Sequence, residues 1–429
     1  MFRSTIELLS SDWREQMAFV VEAMREMSAQ TDPQEMGKLY AKRMRTIMPV
    51  DGSISISRRD LNAPRYRITR SSRWNEEINP WKQRDKLPLL EGGLLAELLY
   101  GNEPRLFNDF QPPADDPAAE YLAEMRSAAV IPMYDKGEAL NMVLLMRREP
   151  NAFVPELFPG MVFQANLYGR ATNNLVLSEQ LKEAYESVDH ELRSVASIQR
   201  ALLPTHTPNI PGVGVATYYQ TSQRAGGDYY DFFPLPDGRW GILIADVSGH
   251  GTPAAVIMAI THSLAHTFPG PHDHPGRFLE YLNGRLHSRY TLDSSFVTAF
   301  YGIYDPAQRT LHYASAGHNP PRLKRCDDGS LAALNAVGGL PLGLFADETY
   351  EAATMQLVRG DQLILYTDGV TEADNAQGRM FGLERLDRTL ENCAVGAGDI
   401  LRSVLEALNE FTAGRPANDD RTLLILKLT

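Results

Sequence analysis

Aspartates at the ends of strand-like runs, two of them beside a glycine, are the residues of this sequence best suited to chemistry. Four of them lie in the C-terminal half of the chain: Asp228, Asp246, Asp368 and Asp419. A carboxylate at the end of a buried strand is unfavourable unless it is paired or binds a cation. Oxygen ligands without cysteine suit Mg²⁺ or Mn²⁺ better than Zn²⁺, and glycine lets backbone carbonyls and water approach an ion closely. The pattern therefore predicts a divalent-cation site.

Each of these aspartates has a simpler interpretation when it is taken alone. Asp368-Gly369 is first of all a turn dipeptide, and Asp419-Asp420 is typical of a solvated loop. The sequence Gly226-Gly227-Asp228 is also compatible with a turn. The combination of all these acids, in this order and beside these strands, favours a common site.

The elements that would position the acids belong to an α+β domain over 204–429. Strand-like runs, rich in β-branched and aromatic residues, occur at 214–220, 240–246, 296–304, 311–317, 362–368 and 422–428. Helical patterns occur from Thr252 to about Phe268 and at 275–290, 382–393 and 398–413. Thr252-Pro253 is a favourable helix start, since proline is tolerated in the first turn.

Eight segments in this region carry a family resemblance. They are SIQRALLP (197–204), AGGDYYDFF (225–233), IADVSGHGTPAAVIMA (244–259), FVTAFYGIYD (296–305), YASAGHNPP (313–321), GLPLGL (339–344), DQLILYTDGVTEA (361–373) and NDDRTLLIL (418–426). In this order and spacing they resemble the metal-dependent protein serine/threonine phosphatases of the PPM superfamily, in the SpoIIE/RsbU-like branch. The resemblance implies a β-sandwich flanked by helices.

The resemblance also implies roles for single residues. Asp228 would bind one metal ion, and Asp246 would bridge two, with the carbonyl of Val247 beside it. Asp368 and Asp419 would bind the other ion. These four aspartates are the expected catalytic and metal-binding residues, with two divalent cations, Mn²⁺ or Mg²⁺, as cofactors. Asp231 and Asp420 are second choices.

The function implied is hydrolysis of phosphoserine or phosphothreonine on a protein substrate. In this family the substrate is often a phosphorylated anti-sigma-factor antagonist of the STAS type. Two alternatives stay open. One is a non-catalytic ligand sensor that uses the phosphatase-like domain as a docking scaffold. The other is a hydrolase of small phosphoesters or nucleotides.

Residues 1–170 are predicted to form a separate mixed α/β domain. Helical patterns over 13–29 and from Thr31 to about Met48 precede strand-like runs, with loops and a short helix expected over 71–120. The element order and the hairpin-like segment 128–148 resemble a GAF domain, with a PAS-like fold as the alternative. Such a domain would bind a small molecule or dimerise, and the sequence does not favour one role over the other.

Residues 171–203 are predicted to form a linker helix. They contain no glycine or proline, and an apolar stripe recurs every seven residues at Leu181, Val188, Val195 and Leu202. This heptad stripe suits a coiled coil between two copies of the chain, and hence a homodimer. The alternative is one amphipathic helix packed on its own domain.

Charge and composition exclude several classes of protein. The net charge of −12 argues against a nucleic-acid or anionic-membrane binder, because phosphate surfaces require a cationic footprint. No apolar run is long enough to predict a transmembrane helix. Two cysteines, Cys326 and Cys393, are too few for a disulfide framework, so a reducing, cytoplasmic location is the default expectation.

Overall fold

The computed structural model describes residues 12–47, 49–270, 273–289 and 295–429. The chain divides into two compact units, Met1–Tyr185 and Glu186–Thr429. None of the helices in the described ranges is long and apolar enough to cross a membrane.

The N-terminal unit is built on an antiparallel sheet of six strands in the order β3-β2-β1-β6-β5-β4. The strands are β1 (Gly52–Ser57), β2 (Arg65–Ser71), β3 (Leu89–Glu91), β4 (Arg105–Phe107), β5 (Ser127–Asp135) and β6 (Glu138–Arg147). The helices before and between them are α1 (Trp13–Ser28), α2 (Pro33–Ile47), α3 (Gly93–Gly101) and α4 (Ala119–Leu122). The short strands β3 and β4 lie in the segment expected to form loops and a short helix, because three residues are too few to show alternation.

Both faces of this sheet are covered. Ala128 and Val130 of β5 pack in a cluster with the leucines of α3, whereas Ala129 and Ile131 pack on the opposite face. Successive side chains of a strand point to opposite faces, so a continuous apolar run marks a strand buried on both sides. The second face is covered by the start of a long helix, α5, which runs from Phe158 to Leu202 without interruption.

The C-terminal unit contains two five-stranded sheets, β14-β11-β10-β9-β8 and β13-β12-β15-β16-β7. The strands are β7 (Val213–Gln220), β8 (Tyr229–Pro234), β9 (Trp240–Val247), β10 (Val297–Asp305), β11 (Thr310–Ala316), β12 (Arg322–Lys324), β13 (Leu331–Ala333), β14 (Ala353–Gln356), β15 (Gln362–Tyr366) and β16 (Arg421–Leu428). The helices are α6 (Thr252–His266), α7 (Pro275–Arg289), α8 (Asp368–Thr371), α9 (Gly382–Arg388) and α10 (Ala397–Thr412).

Alternation along the strands shows how these layers pack. Leu424 and Leu426 of β16 belong to the core between the two sheets, whereas Leu423 and Ile425 pack against α9 and α10 on the outer face. Helices α6 and α7 pack on the first sheet. The unit is therefore a β-sandwich with helices on both outer faces.

The low cysteine count predicts no disulfide framework, but the structure contains one disulfide. Cys326 and Cys393 are joined by a disulfide whose Cα atoms lie 5.7 Å apart. The fold brings the turn after β12 close to the segment after α9. The two cysteines are 67 positions apart, so the sequence alone does not show that they are neighbours. Cysteine usage therefore gives no support to a reducing compartment.

Candidate metal centre

Strand register brings two of the predicted acids face to face. In the antiparallel pair β8–β9, Tyr229 lies opposite Ala245. Asp228 directly precedes Tyr229 and Asp246 directly follows Ala245, so the two aspartates lie opposite each other at one end of the ladder. Asp228 is almost fully buried, whereas Asp246 is partly exposed.

The second sheet contributes the other acids in the same way. Tyr366, the last residue of β15, lies opposite Leu423 of β16. Asp368 follows β15, and Asp419 and Asp420 precede β16, so all three lie at one end of this ladder. Antiparallel pairing thus converts positions far apart in sequence into one cluster.

Two threonines that the sequence analysis did not single out join the sheets at this point. The Thr367 and Thr422 hydroxyls both donate to Oδ2 of Asp228, at 2.7 and 2.6 Å. Both hydroxyls are buried, and they orient the Asp228 carboxylate by hydrogen bonds across the sandwich. Their only sequence signal is a position next to the strand-end acids.

Asp420 is held more firmly than Asp419. Its carboxylate accepts hydrogen bonds from the backbone N–H of Gly227 at 2.6 Å and of Ser222 at 2.8 Å. Asp419 is exposed and accepts only the N–H of Asp420 among the described contacts, at 2.8 Å. Asp419 is thus free to contact an ion, whereas Asp420 fixes the loop that carries Asp228.

Three glycines leave the space that this cluster needs. A Cβ atom at Gly226 would lie 2.0 Å from Oδ2 of Asp420, and one at Gly369 would lie 2.0 Å from the Asp420 carbonyl. A Cβ atom at Gly227 would lie 2.7 Å from the carbonyl oxygen of Val247, the backbone ligand expected from the sequence. A side chain at any of these glycines would displace the Asp420 carboxylate or one of the two carbonyls.

The cluster is electrostatically strained without a cation. Burial and four neighbouring carboxylates raise the pKa of Asp246 to about 10. Those neighbours are Asp228, Asp368, Asp419 and Asp420. Burial also raises the pKa of Asp228 to about 8. Like charges in a buried site disfavour ionisation of each other, and a bound cation relieves that repulsion.

The arrangement fits hydrated divalent cations. Within the described residues, no three of these carboxylates place one oxygen each within 4.8 Å of one another. Such spacing suits Mg²⁺, which usually keeps several water ligands and binds through only one or two carboxylates. The all-oxygen donor set, the cleared backbone and the mutual repulsion together fit such ions.

Helix α5 reaches this centre through Gln199. The buried Gln199 amide donates to the Gly226 carbonyl at 2.5 Å and accepts the Gly226 N–H at 3.0 Å. A salt bridge between Arg224 and Asp189, 2.7 Å long, joins the same loop to the helix. Gln199 is in the segment SIQRALLP, but nothing in the sequence indicated that its amide would contact Gly226.

Asp231, one of the two second choices, does not face the cluster. Its carboxylate accepts the Tyr229 hydroxyl at 2.7 Å and lies 2.8 Å from Nε2 of His266 on α6. Asp420, the other second choice, does contribute to the charge of the centre.

Comparison with known proteins agrees with this description. Residues 236–429 match the family model of stage II sporulation protein E (SpoIIE), a range that includes Asp246, Asp368 and Asp419 but begins after Asp228. Phosphoserine phosphatase RsbU of Bacillus subtilis (strain 168) is 28% identical over 249 residues, which cover 58% of this chain and 73% of RsbU. Phosphoserine phosphatase RsbP of the same strain is 32% identical over 185 residues, which cover 42% of this chain and 45% of RsbP.

A solved structure shows the same fold. The SiaA-PP2C domain of Pseudomonas aeruginosa superposes with a TM-score of 0.51 at 21% identity, over 58% of this chain and 98% of that domain. The fold and the acidic site together define a metal-dependent protein phosphatase domain. The C-terminal region of this chain is therefore similar to the SpoIIE family and to the phosphoserine phosphatases RsbU and RsbP.

Proposed function

We propose that this chain hydrolyses phosphoserine or phosphothreonine on a protein substrate with two divalent cations, Mg²⁺ or Mn²⁺. Four carboxylates and one carbonyl would hold the ions: Asp228, Asp246, Asp368, Asp419 and Val247. The observation that carries the proposal is the convergence of strand-end aspartates from both sheets, where burial and mutual repulsion raise the pKa of Asp246 to about 10. The RsbU-like resemblance supports a STAS-type anti-sigma-factor antagonist as the substrate.

The chemistry follows from charge. A phosphoserine monoester carries about two negative charges near neutral pH and would be repelled by a bare acidic cluster. Divalent cations bound here would neutralise the phosphate and lower the pKa of a bound water. The chain itself orients Asp228 through Thr367 and Thr422 and holds the Asp228 loop through Asp420.

The test is hydrolysis of para-nitrophenyl phosphate and of a phosphoserine protein with Mn²⁺, with Mg²⁺ and with EDTA. Asp246→Asn should abolish turnover, because it removes the acid that faces the most carboxylate neighbours. Asp237→Asn is a matched control, since Asp237 is exposed in a turn at φ +66°, which asparagine adopts readily. Metal-independent turnover, or a normal rate for Asp246→Asn, would contradict the metal assignment. A chain without turnover in any metal would favour the scaffold alternative.

We also propose that the N-terminal unit is a GAF-like sensor. Its six-stranded sheet contains a cavity of about 420 Å³, within the usual size range of small-molecule sites. Tyr40 and Tyr168 line this cavity, and their hydroxyls are buried without a hydrogen-bond partner among the described residues. Unpaired buried polar atoms are unfavourable, and a ligand could satisfy them.

The charge of the cavity indicates an anionic ligand. Arginines from β2 line it together with Arg59 and Arg84. Arg59 and Arg84 already have acidic partners, Asp135 and Asp60. By contrast, Nε of Arg67 is buried without a hydrogen-bond partner in the described part of the chain. A planar guanidinium suits a phosphate or carboxylate group, so we expect a small organic anion.

Helix α5 forms one wall of this cavity. Tyr168, Asn173 and Val176 of α5 line it, and the same helix carries Gln199 at its other end. A ligand that contacts α5 would therefore act on the element that holds the Gly226 loop. Binding of AMP or inorganic phosphate, measured by calorimetry, should weaken in Arg67→Ala but not in Arg65→Ala, an exposed arginine on the same strand. Equal binding by both variants would contradict the assignment.

A homodimer through α5 is part of the same proposal. Leu177, Leu181, Tyr185 and Val188 lie on the helix with 54%, 71%, 75% and 56% of their surface exposed. An apolar stripe at heptad-like spacing would be covered by the same stripe of a second copy. The expected cytoplasmic location rests on the low cysteine count, and the Cys326–Cys393 disulfide removes that support.

A further inference from the structure

A cluster with different donor chemistry lies on the other side of β8. Asp231, His262 and His266 each place one ligand atom within 4.8 Å of the other two. It is the only such group of three in the described residues. We propose that these three side chains bind a divalent transition-metal ion of the zinc class, at a site separate from the acidic centre.

Secondary structure places the two imidazoles together. His262 and His266 are four residues apart on α6, so they lie on one helix face, with ring centroids 4.4 Å apart. Two histidines four residues apart on a helix can bind the same metal ion when both rings point to the same side of the helix. The third donor comes from the sheet, where Oδ2 of Asp231 lies 2.8 Å from Nε2 of His266.

The surroundings hold the three donors in place. Asp231 accepts hydrogen bonds from the Tyr229 hydroxyl and from the backbone N–H of Phe232, both at 2.7 Å. The His262 ring packs edge-on against Tyr229, at 5.6 Å between centroids. Ligands whose orientation is fixed by neighbouring hydrogen bonds bind metals more tightly.

Exposure leaves one side of the cluster open. The Asp231 side chain is 9% exposed and the His266 side chain is 46% exposed, so an ion can enter from the solvent at His266. Three protein donors would leave a fourth position for water or another ligand.

The donor set also determines which ion is expected. Two imidazoles and one carboxylate suit Zn²⁺, Co²⁺ or Ni²⁺, whereas Mg²⁺ prefers oxygen ligands. The two sites should therefore fill independently when both kinds of ion are present. An ion here would join α6 to β8, the strand that begins directly after Asp228.

The test uses full-length Asp246→Asn protein in excess Mg²⁺, so that the acidic centre contributes little and phosphatase activity plays no part. Co²⁺ should bind with one equivalent and show the visible absorption of a tetrahedral imidazole-bound ion, and Zn²⁺ should displace it. His262→Ala and His266→Ala should each weaken binding by about tenfold or more. His266→Gln, which keeps a polar side chain of similar size, guards against loss of folding.

His274→Ala is the matched control. His274 also lies beside a second histidine, His312, with ring centroids 5.6 Å apart, but it is not part of the three-donor group. The His274→Ala variant should bind Co²⁺ with the same affinity as the parent protein, Asp246→Asn. Addition of Zn²⁺ should raise the thermal midpoint of the parent and not of His266→Gln. Equal Co²⁺ affinity in the parent and His266→Gln, or binding without the visible bands, would overturn the proposal.

Discussion

Gln199→Ala tests whether helix α5 controls the acidic centre. The Gln199 amide makes two hydrogen bonds with the backbone of Gly226, and it is 4% exposed. Alanine would leave one buried N–H and one buried carbonyl without partners. Each unpaired buried group costs about 1–3 kcal/mol, so the ordered form of the loop should lose about 2 kcal/mol or more.

That loss should appear in catalysis because Gly226 is two residues from Asp228. A change of about 2 kcal/mol corresponds to a roughly thirtyfold change in population, since 1.4 kcal/mol is about tenfold. We therefore expect kcat/KM to fall about ten- to hundredfold, with a weaker apparent affinity for Mn²⁺. The assay is steady-state hydrolysis of a phosphoserine protein across a Mn²⁺ titration.

Two variants complete this experiment. Gln199→Glu keeps an acceptor for the Gly226 N–H but places a buried carboxylate against the Gly226 carbonyl, so its rate should fall at least as far as that of Gln199→Ala. Ser197→Ala, on the exposed side of the same helix, should leave the rate unchanged. If Gln199→Ala turns over within about twofold of wild type at every Mn²⁺ concentration, the coupling argument fails.

Three further predictions follow from the same structure. In the metal-free folded protein the pKa is about 8 for Asp228 and about 10 for Asp246, both above the value of an unfolded aspartate. The free energy of unfolding should therefore fall as the pH rises from about 4 toward 8 and 10. Added Mg²⁺ should then raise the thermal midpoint more at about pH 8 than at about pH 6, and equal increments would contradict the electrostatic argument. Leu181→Glu with Val188→Glu should convert a dimer to a monomer in analytical ultracentrifugation, and a monomeric wild type would exclude the coiled-coil interface. Cys326→Ser removes a disulfide that closes a 67-residue loop, so the free energy of unfolding should fall by about 4 kcal/mol in oxidising buffer and stay unchanged in reducing buffer. Denaturant titration measures this difference, and equal stability of variant and wild type in oxidising buffer would show that the disulfide does not form.

Much of the C-terminal fold could be predicted because its signals are local. The run 422–428 reads as a buried strand, and β16 is buried along its whole length. The helix start predicted at Thr252-Pro253 is confirmed to within one residue, since Gly251 is the N-cap and Thr252 is the first residue of α6. Aspartates at strand ends could be recognised as a possible site, since each strand and the acid beside it are contiguous in sequence.

Other features depend on contacts between distant residues. Gln199 lies on the predicted linker helix, and only the packing of α5 beside the Gly226 loop lets its amide form two hydrogen bonds with the Gly226 backbone. Thr367 becomes a partner of Asp228 because the two sheets meet there.

The sequence by itself determined the class of the C-terminal domain, six of its ten strands and the acids beside them, because side-chain periodicity and residue chemistry act over a few positions. The tertiary structure alone decided which of the acids share a centre, that Asp231 turns to His266 instead, and that Cys326 meets Cys393. Strand register and sheet packing set those distances, and they arise from burial summed over the whole domain.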